Sequence, residues 1–308
     1  MPMRLPALPD SIAATISPHW APENLVHRNC PVCNGDQPKA LCQRPDELFV
    51  HTCSACGMVY LAEIPSPAEL DRFYARYREL KGRQHFLKPS NFQKYLQAKL
   101  DFRVQVLEKR GGLRGKQLLE VGCGGGFFLQ LCSYQGATVS AVELDSEALK
   151  FLSGLGYSVS STVEKTAQYD IVCAFDVLEH LADPAAMIAA MARALKPDGR
   201  LLLSMPNGGE ISKSGPTWVG FRVDPEHLNY FNLKTLGQLL AGHNLYIEHY
   251  WEYMQPNLNR PEAGAAKSSR LSWAIERISL IILPLLFRVN PHLATQGSFA
   301  FMVLANKG

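Results

Sequence analysis

The sequence predicts an α/β protein built on a largely parallel sheet, preceded by a small cysteine-rich module and a helical linker. Three observations predict it: strands alternating with helices from Gln117 onward, a glycine-rich turn after the first of those strands, and two C-x2-C pairs upstream. Strands that alternate with helices of about 10–15 residues need crossover connections, and these place helices on both faces of a parallel sheet.

Residues 1–29 read as an irregular, proline-broken leader. From Pro65 the pattern turns helical, with Ser66 as N-cap and Pro67 at the first helical position. A second helical stretch, NFQKYLQAKLDFRVQVLEKR, stops at Gly111–Gly112. QLLEVG is then a buried strand, FFLQLCSYQG a helix, ATVSAVELD a second strand, and Ser146 to Gly154 a helix. YSVSS is a third strand and DIVCAFDV a fourth; a helix from Asp183–Pro184 stops at KPDG, and RLLLSMPN is a fifth strand. A loop to Tyr230, the helix NLKTLGQLLAG, the strand NLYIEHYWEYM and a last strand SFAFMVLAN complete the chain. The expected division is a leader at 1–29, a cysteine module at 30–62, a helical substrate-side segment at 63–112, and an α/β domain at 113–308 with an insertion at 256–296.

Composition narrows the function. Across 308 residues, 47% hydrophobic and 19% charged is a globular balance with material for a core. A net charge of +3 without a basic run argues against nucleic acid as partner. The N-terminus offers no secretory apolar region. The longest apolar run, Ile278–Phe287, is about half the roughly 20 residues a membrane span needs. Eight cysteines without an export signal fit a reducing compartment, so the expected location is cytoplasmic.

The glycine turn reads Glu120-Val-Gly122-Cys-Gly124-Gly-Gly126. Glycines there let a ligand approach the backbone, and the next helix aims its N-terminal amides at it. The nicotinamide fingerprint G-x-G-x-x-G fails in both registers, its third position falling on Phe127 or Leu129. An acid inside the strand suits a ligand with an ammonium group better than one with a pyrophosphate. About 20 residues on, Glu143 stands where a carboxylate can accept both hydroxyls of a ribose, with Asp145 as the fallback. This E-x-G-x-G-x-G turn, the Asp176-Val-Leu-Glu-His180 stretch after the fourth strand, and RALKPDGRLLLSMPN together resemble the class I S-adenosylmethionine (SAM)-dependent methyltransferases. The likeness is greatest to the ubiquinone-biosynthesis O-methyltransferases and sugar methyltransferases, over Lys116 to Leu304. It implies a Rossmann-like sheet, parallel with one antiparallel strand. It also implies that Glu120, Gly122 and Gly124 hold the methionine portion of SAM, with Gly126 completing the turn and Asp176 on the cofactor side. Glu143 would hold the ribose, and Ser161–Val163 would lie near the adenine, with Glu164 as the nearest acid.

Cys30-Pro-Val-Cys33 and Cys53-Ser-Ala-Cys56-Gly form two knuckles 19 residues apart. Four thiolates so spaced suit a closed, structural Zn2+ site, a zinc ribbon. Cys42, Cys123, Cys132 and Cys173 have no paired spacing and read as small buried residues.

Methyl transfer from a sulfonium is an in-line displacement that needs alignment and a base. His180, after the fourth strand, and His227, in Asp224-Pro-Glu-His-Leu-Asn-Tyr-Phe after the fifth, lie at the carboxyl end of the sheet where ligands bind. Deoxysugar C-methyltransferases, which this chain resembles, join a four-cysteine zinc domain to such a sheet. That likeness assigns Glu226-His227 as a catalytic pair with His227 as base, His180 as a further histidine, and Tyr74 or Tyr77 as a tyrosine from the segment after the zinc module. The chain departs from them in carrying Asp224 where they carry a tyrosine and in ending soon after the last strand. A small-molecule acceptor, a sugar or polysaccharide precursor, is the leading expectation. An RNA or protein methyltransferase, or a non-catalytic SAM-binding protein, are the alternatives. The apolar stretch at 271–290 admits three readings: a lid or core helix, an oligomer surface, or a peripheral membrane contact.

Overall fold

The computed structural model describes residues 2–5, 20–75, 101–164, 166–218, 220–254 and 299–308. The N-terminal part contributes β1 (Met3–Arg4), β2 (Leu25–His27), β3 (Pro38–Gln43), β4 (Phe49–Cys53), β5 (Val59–Leu61), β6 (Glu63–Pro65) and α1 (Pro67–Ala75). Then come α2 (Phe102–Lys109), β7 (Gln117–Val121), α3 (Phe127–Tyr134), β8 (Thr138–Val142), α4 (Ser146–Gly154), β9 (Ser158–Ser160), β10 (Tyr169–Phe175) and α5 (Pro184–Ala194). The remainder is β11 (Leu195–Pro206), α6 (Ile211–Ser214), α7 (Gly220–Val223), β12 (Asn229–Tyr230), α8 (Leu233–Ala241), β13 (Leu245–Met254) and β14 (Phe299–Lys307).

The main sheet has seven strands in the order β13-β14-β11-β10-β7-β8-β9. Its ladders are parallel except those of β14, which runs antiparallel to both β11 and β13. The order steps outward from β7 in both directions, so the crevice at its carboxyl end lies between β7 and β10, as in other open α/β sheets. Period-two alternation splits the buried residues between two faces. Leu119, Val121, Val172 and Ala174 join one core cluster, while Leu118, Ile171, Cys173 and Leu202 join the other. Asp183 caps α5 ahead of Pro184, where the sequence places the helix start, while Asp145, the fallback for the ribose, caps α4 and accepts from the Glu147 and Ala148 amides at 2.9 and 3.3 Å. Asp145 therefore serves its own helix, leaving Glu143 as the acid at the end of β8. Cys42, Cys123, Cys132 and Cys173 are buried free thiols, as expected.

The N-terminal region differs from the sequence reading in one respect. Residues 1–29, read as irregular, include β1, which pairs with Cys42–Gln43, and β2, which pairs with β6. Partners some 40 positions away give such two- and three-residue strands no local signature. The stretch read as a loop to Tyr230 likewise holds two short helices and β12. In β11 the strand begins at Leu195, so Lys196–Gly199 lies inside it at a register irregularity opposite Tyr169–Ile171. Tyr77, the 256–296 insertion and the apolar 271–290 stretch lie outside the described residues, and no described helix is long and apolar enough to cross a membrane.

The N-terminal sheet has the order β1-β3-β4-β5-β12, and its last strand comes from the loop after β11. Leu5, Cys42, Val50 and Leu61 share a core with Ile211, Trp218, Phe221 and Tyr230. Cys30, Cys53, Met58 and Tyr60 pack into the core that contains Leu178 and Phe231. Arg28 stitches the seam. It donates to the carbonyls of Leu61, Ala182 and Leu228 at 2.8–2.9 Å and to Asn229 Oδ1 at 2.9 Å. Burial draws its pKa down to about 10. Arg28→Met removes the donors to these four acceptors, at ~0.5–1 kcal/mol each in a partly buried site that water can reach. Urea unfolding of this variant should show a loss of about 2–4 kcal/mol; a loss below ~0.5 kcal/mol, typical of a plain surface change, would show the seam does not depend on it.

Candidate active site

The glycine turn closes β7 and opens α3. Gly122, Gly124 and Gly126 all take left-handed φ values, 72°, 52° and 70°, but their surroundings differ. A Cβ on Gly122 would lie 2.5 Å from Val177 Cγ2, and one on Gly126 would lie 2.4 Å from Leu152 Cδ2, whereas one on Gly124 would meet nothing within 4 Å. Gly122 and Gly126 are thus demanded by packing as well as by φ, and Gly124 presents the open face.

Glu120 is buried, and its Oε2 has no hydrogen-bond partner among the described residues. Burial pushes its carboxyl up to about 8, against the pull of the nearby Arg103 guanidinium. Arg103 pairs with Asp101, the N-cap of α2, at 2.6 Å and lies 4.6 and 4.9 Å from the ring centroids of Phe175 and Phe128. Glu143 reaches across to the turn: one carboxylate oxygen accepts from the Gly124 amide at 2.7 Å, the other from Leu144 and Asp145 at 2.7 and 3.1 Å. Leu144 beside it is 72% exposed, an apolar side chain left on open surface at the end of β8. Ser161 and Thr162 are exposed, and Glu164 accepts from Thr162 Oγ1 at 2.6 Å.

Beyond β10, Asp176 adopts φ 54°, a left-handed conformation unusual outside glycine, and its amide donates to Ser204 O at 2.9 Å. It leads into a single turn, Leu178–His180. The loop holding His227 is sewn to this turn: the Leu228 amide donates to Glu179 O at 2.7 Å, and Asn229 Nδ2 donates to the carbonyls of Leu178 and Leu181 at 2.9 and 2.8 Å. The His180 and His227 rings meet edge-on with centroids 4.6 Å apart, and the Tyr74 ring lies 6.3 Å from His180. His227 and Glu226 are buried. Tyr74 is thus the described tyrosine beside His180.

Glu179 is a feature the sequence reading passed over. It is 2% exposed, and neither carboxylate oxygen has a hydrogen-bond partner among the described residues. Burial raises its pKa well above the usual carboxylate range, and Asp176, Asp224 and Glu226 push it the same way. One ligand atom from each of Glu179, His180 and His227 lies within 4.8 Å of the others, an arrangement able to hold a cation. The signal was present in the sequence, an acid adjoining a histidine just past a strand end. Arg103 and Leu144 were missed because neither type is diagnostic alone.

The four knuckle cysteines also converge. Cys30 and Cys56 Sγ are 3.5 Å apart, and Cys33 and Cys53 Sγ are 3.6 Å apart. A tetrahedral site with metal–sulfur bonds of about 2.3 Å has edges of about 3.8 Å, so the set fits such a metal. Burial alone would raise the Cys53 thiol, but the Cys56 and Ala55 amides and Cys33 bring it down to about 7.

A family model described as "Methyltransferase domain" matches residues 92–250, just over half of the chain. The chain belongs to the methyltransferase-domain family. Its seven-stranded sheet is the class I SAM-dependent methyltransferase fold. Among curated relatives, the ubiquinone biosynthesis O-methyltransferase of Klebsiella pneumoniae subsp. pneumoniae is 35% identical over 135 residues, 40% of this chain and 54% of that one. The protein of the same name from Xylella fastidiosa is 36% identical over 159 residues, 46% of this chain and 65% of that one. The chain thus spans 54% and 65% of the length of these two curated relatives. Among solved structures, phosphoethanolamine N-methyltransferase 2 of Haemonchus contortus, in complex with S-adenosyl-L-methionine, aligns with a TM-score of 0.50 at 18% identity, covering 81% of this chain and 62% of that one. That likeness concerns the fold.

Glu179 in this methyltransferase-domain chain has a measurable signature. Its folded pKa is raised, so above the ordinary carboxylate range the unfolded chain loses a proton that the folded chain keeps, and stability falls as pH rises. Glu179→Gln lacks this loss. Its melting temperature relative to wild type should climb as pH rises above the ordinary carboxylate range, with the slope of one proton, ~1 kcal/mol of stability per pH unit, until Glu179 ionises in the folded chain. A constant difference across that range would mean Glu179 ionises normally.

Proposed function

We propose that this chain transfers a methyl group from SAM to a small, hydroxyl-rich acceptor, a sugar or polysaccharide precursor, with His227 taking the acceptor's proton. The observation that carries the reading is the 4.6 Å pairing of the His180 and His227 rings, on a turn whose Val177 packs against the glycine turn. SAM supplies a methyl group already activated on a sulfonium. The chain's own work is to align the acceptor and accept its proton, a role for which histidine is suited near neutral pH.

The residues present fit SAM. Glu120 Oε2, buried without a partner, would accept from the ammonium group, and Arg103 would face the carboxylate. Gly124 leaves its side of the turn open, and Gly122 and Gly126 shape that turn. Glu143 would exchange the Gly124 amide for the ribose hydroxyls. Leu144 and residues 161–163 would flank the adenine, with Glu164 at hand. Asp176 would stand between the two ligands. Around the histidines, Asp176, Asp224 and Glu226 would present an acidic lining, which repels a phosphate backbone and welcomes hydroxyl donors. That favours a polyol over RNA. The relatives named for ubiquinone biosynthesis are consistent with a small acceptor.

The four thiolates suit zinc, and a closed four-sulfur site is structural. On this reading 30–62 is scaffold, 63–112 lies on the substrate side and 113–308 carries the chemistry. A second reading rests on the spacing of Glu179, His180 and His227: a divalent cation held there would bind the acceptor's oxygen. Turnover abolished by EDTA and restored by Mn2+, with zinc content unchanged, would favour it over a free base.

Two measurements test the main reading. Calorimetry should show SAM binding that weakens at least ~10-fold in Glu143→Ala, while His227→Gln binds SAM normally and loses ~10²–10⁴-fold in turnover with sugar acceptors. Full activity in His227→Gln would remove the base. Metal analysis of the purified protein should give one zinc per chain, lost in Cys53→Ser together with much of the stability; a metal-free wild type of equal stability would remove the zinc site.

A further inference from the structure

We infer that Arg44, in the hairpin turn between β3 and β4, is a positioning residue for His227, so that the N-terminal module completes the active site. The inference rests on His227 as the proposed base.

Arg44 is wholly buried and lies 183 positions from the residue it serves. Each of its five N–H groups has an acceptor. Nε donates to Asp46 Oδ1 at 3.0 Å. Nη2 donates to Asp46 Oδ2 and to the Pro225 carbonyl. Nη1 donates to the His227 carbonyl at 2.7 Å and to the Tyr230 hydroxyl at 2.8 Å. Both side chains of the Arg44–Asp46 pair are fully shielded from solvent. Trp20 Nε1 donates to Asp46 at 3.2 Å, closing the far side.

The two carbonyls held by Arg44 belong to the residues on either side of Glu226 along the backbone, Pro225 and His227 itself. A planar fork that grips both fixes the peptide from which the Glu226 and His227 side chains project. A lysine at 44 would bring three donors on one point and could not span this set. Fold stability alone does not account for the arrangement. A buried ion pair costs several kcal/mol of desolvation per charge, and a well-packed apolar pair often holds a core equally well. What apolar side chains cannot do is hold two carbonyls at fixed positions. The charged pair buys geometry at the one loop where geometry governs proton transfer.

The experiment compares Arg44→Lys and Tyr230→Phe with wild type, each checked for folding by circular dichroism and zinc content. SAM affinity by calorimetry, kcat and KM for the acceptor, the pH profile of kcat, and the His227 ring signals in histidine-labelled NMR are measured. The His227 signals are assigned by their absence in His227→Gln. A displaced base lowers kcat about 100-fold for a shift near 1 Å. Arg44→Lys should therefore lose about 100-fold in kcat with SAM affinity within twofold, and should shift both the pH profile and the His227 signals. Tyr230→Phe, which removes one acceptor and leaves the core volume intact, should move the same readouts in the same direction by a smaller factor. A folded Arg44→Lys with wild-type kcat, pH profile and His227 signals overturns the inference. If Arg44→Lys does not fold, the same unchanged readouts in Tyr230→Phe overturn it. If His227→Gln proves fully active, the base reading fails on its own, and the His227 signals in the two variants still decide whether Arg44 sets that side chain.

Discussion

A buried loop must find donors for its carbonyls, and in this protein the loop at 224–230 finds them in the N-terminal module. Pro225 and His227 are served by Arg44, Leu228 by Arg28 and by the Leu61 amide at 3.0 Å, and Asn229–Tyr230 pair with β5 as an added strand. The other flank of the loop is tied to the Leu178–His180 turn. His227 is therefore set from two sides, by the end of the methyltransferase sheet and by a module far away in sequence. The cysteines enter the same chain of dependence: Cys53 ends β4, its amide donates to Met58 O at 2.8 Å, and β5 follows directly. Knuckles that hold β5 also hold β12, and β12 follows His227 by two positions.

At the glycine turn one sequence motif answers two different constraints. Gly122 and Gly126 have side-chain atoms of Val177 and Leu152 where a Cβ would go, so they let the turn nest against the loop after β10 and against α4. Gly124 has neither neighbour and is touched through its amide by Glu143. The turn is thus locked on its protein side and open on its ligand side. Val177, which occupies the space of the missing Gly122 side chain, begins the turn that ends in His180. On the proposed roles, this gives a direct packing link between cofactor side and acceptor side.

Much of the fold was legible because its signals are local. The alternation from Gln117, the stop at Gly111–Gly112, the helix start at Asp183–Pro184 and the glycine spacing each act within a few residues, and β7, α4 and α8 fall where the alternation places them. The knuckle cysteines were legible for the same reason: each pair is its own turn. His180 and His227 were legible as types in the right place, but not as neighbours. What escaped was long-range. Nothing near Met3 or Leu25 announces a strand whose partner lies some 40 residues on, and nothing near Arg44 announces acceptors 183 positions away. Glu179 escaped for a different reason, since a carboxylate in a strand-end turn is ordinary until burial and the absence of a partner are known.

The unusual energetics of the site gather at the carboxyl ends of β7 and β10. Glu120 and Glu179 are carboxyls that burial pushes toward the neutral form, and Asp176 holds a left-handed backbone beside them. Such costs persist only where the surrounding structure enforces them, and strand ends facing a crevice are where a ligand can repay them. On the proposed reading, the two raised carboxyls would answer to different ligands. Glu120 lies below the glycine turn, where an ammonium group would draw it back to its charged form. Glu179 lies against the histidines. A histidine that takes a proton becomes a cation in a dry site, and this is tolerable only beside negative charge. Asp176, Asp224 and Glu226, the acids that help hold the Glu179 carboxyl neutral, would supply that charge to His227 acting as the proposed base.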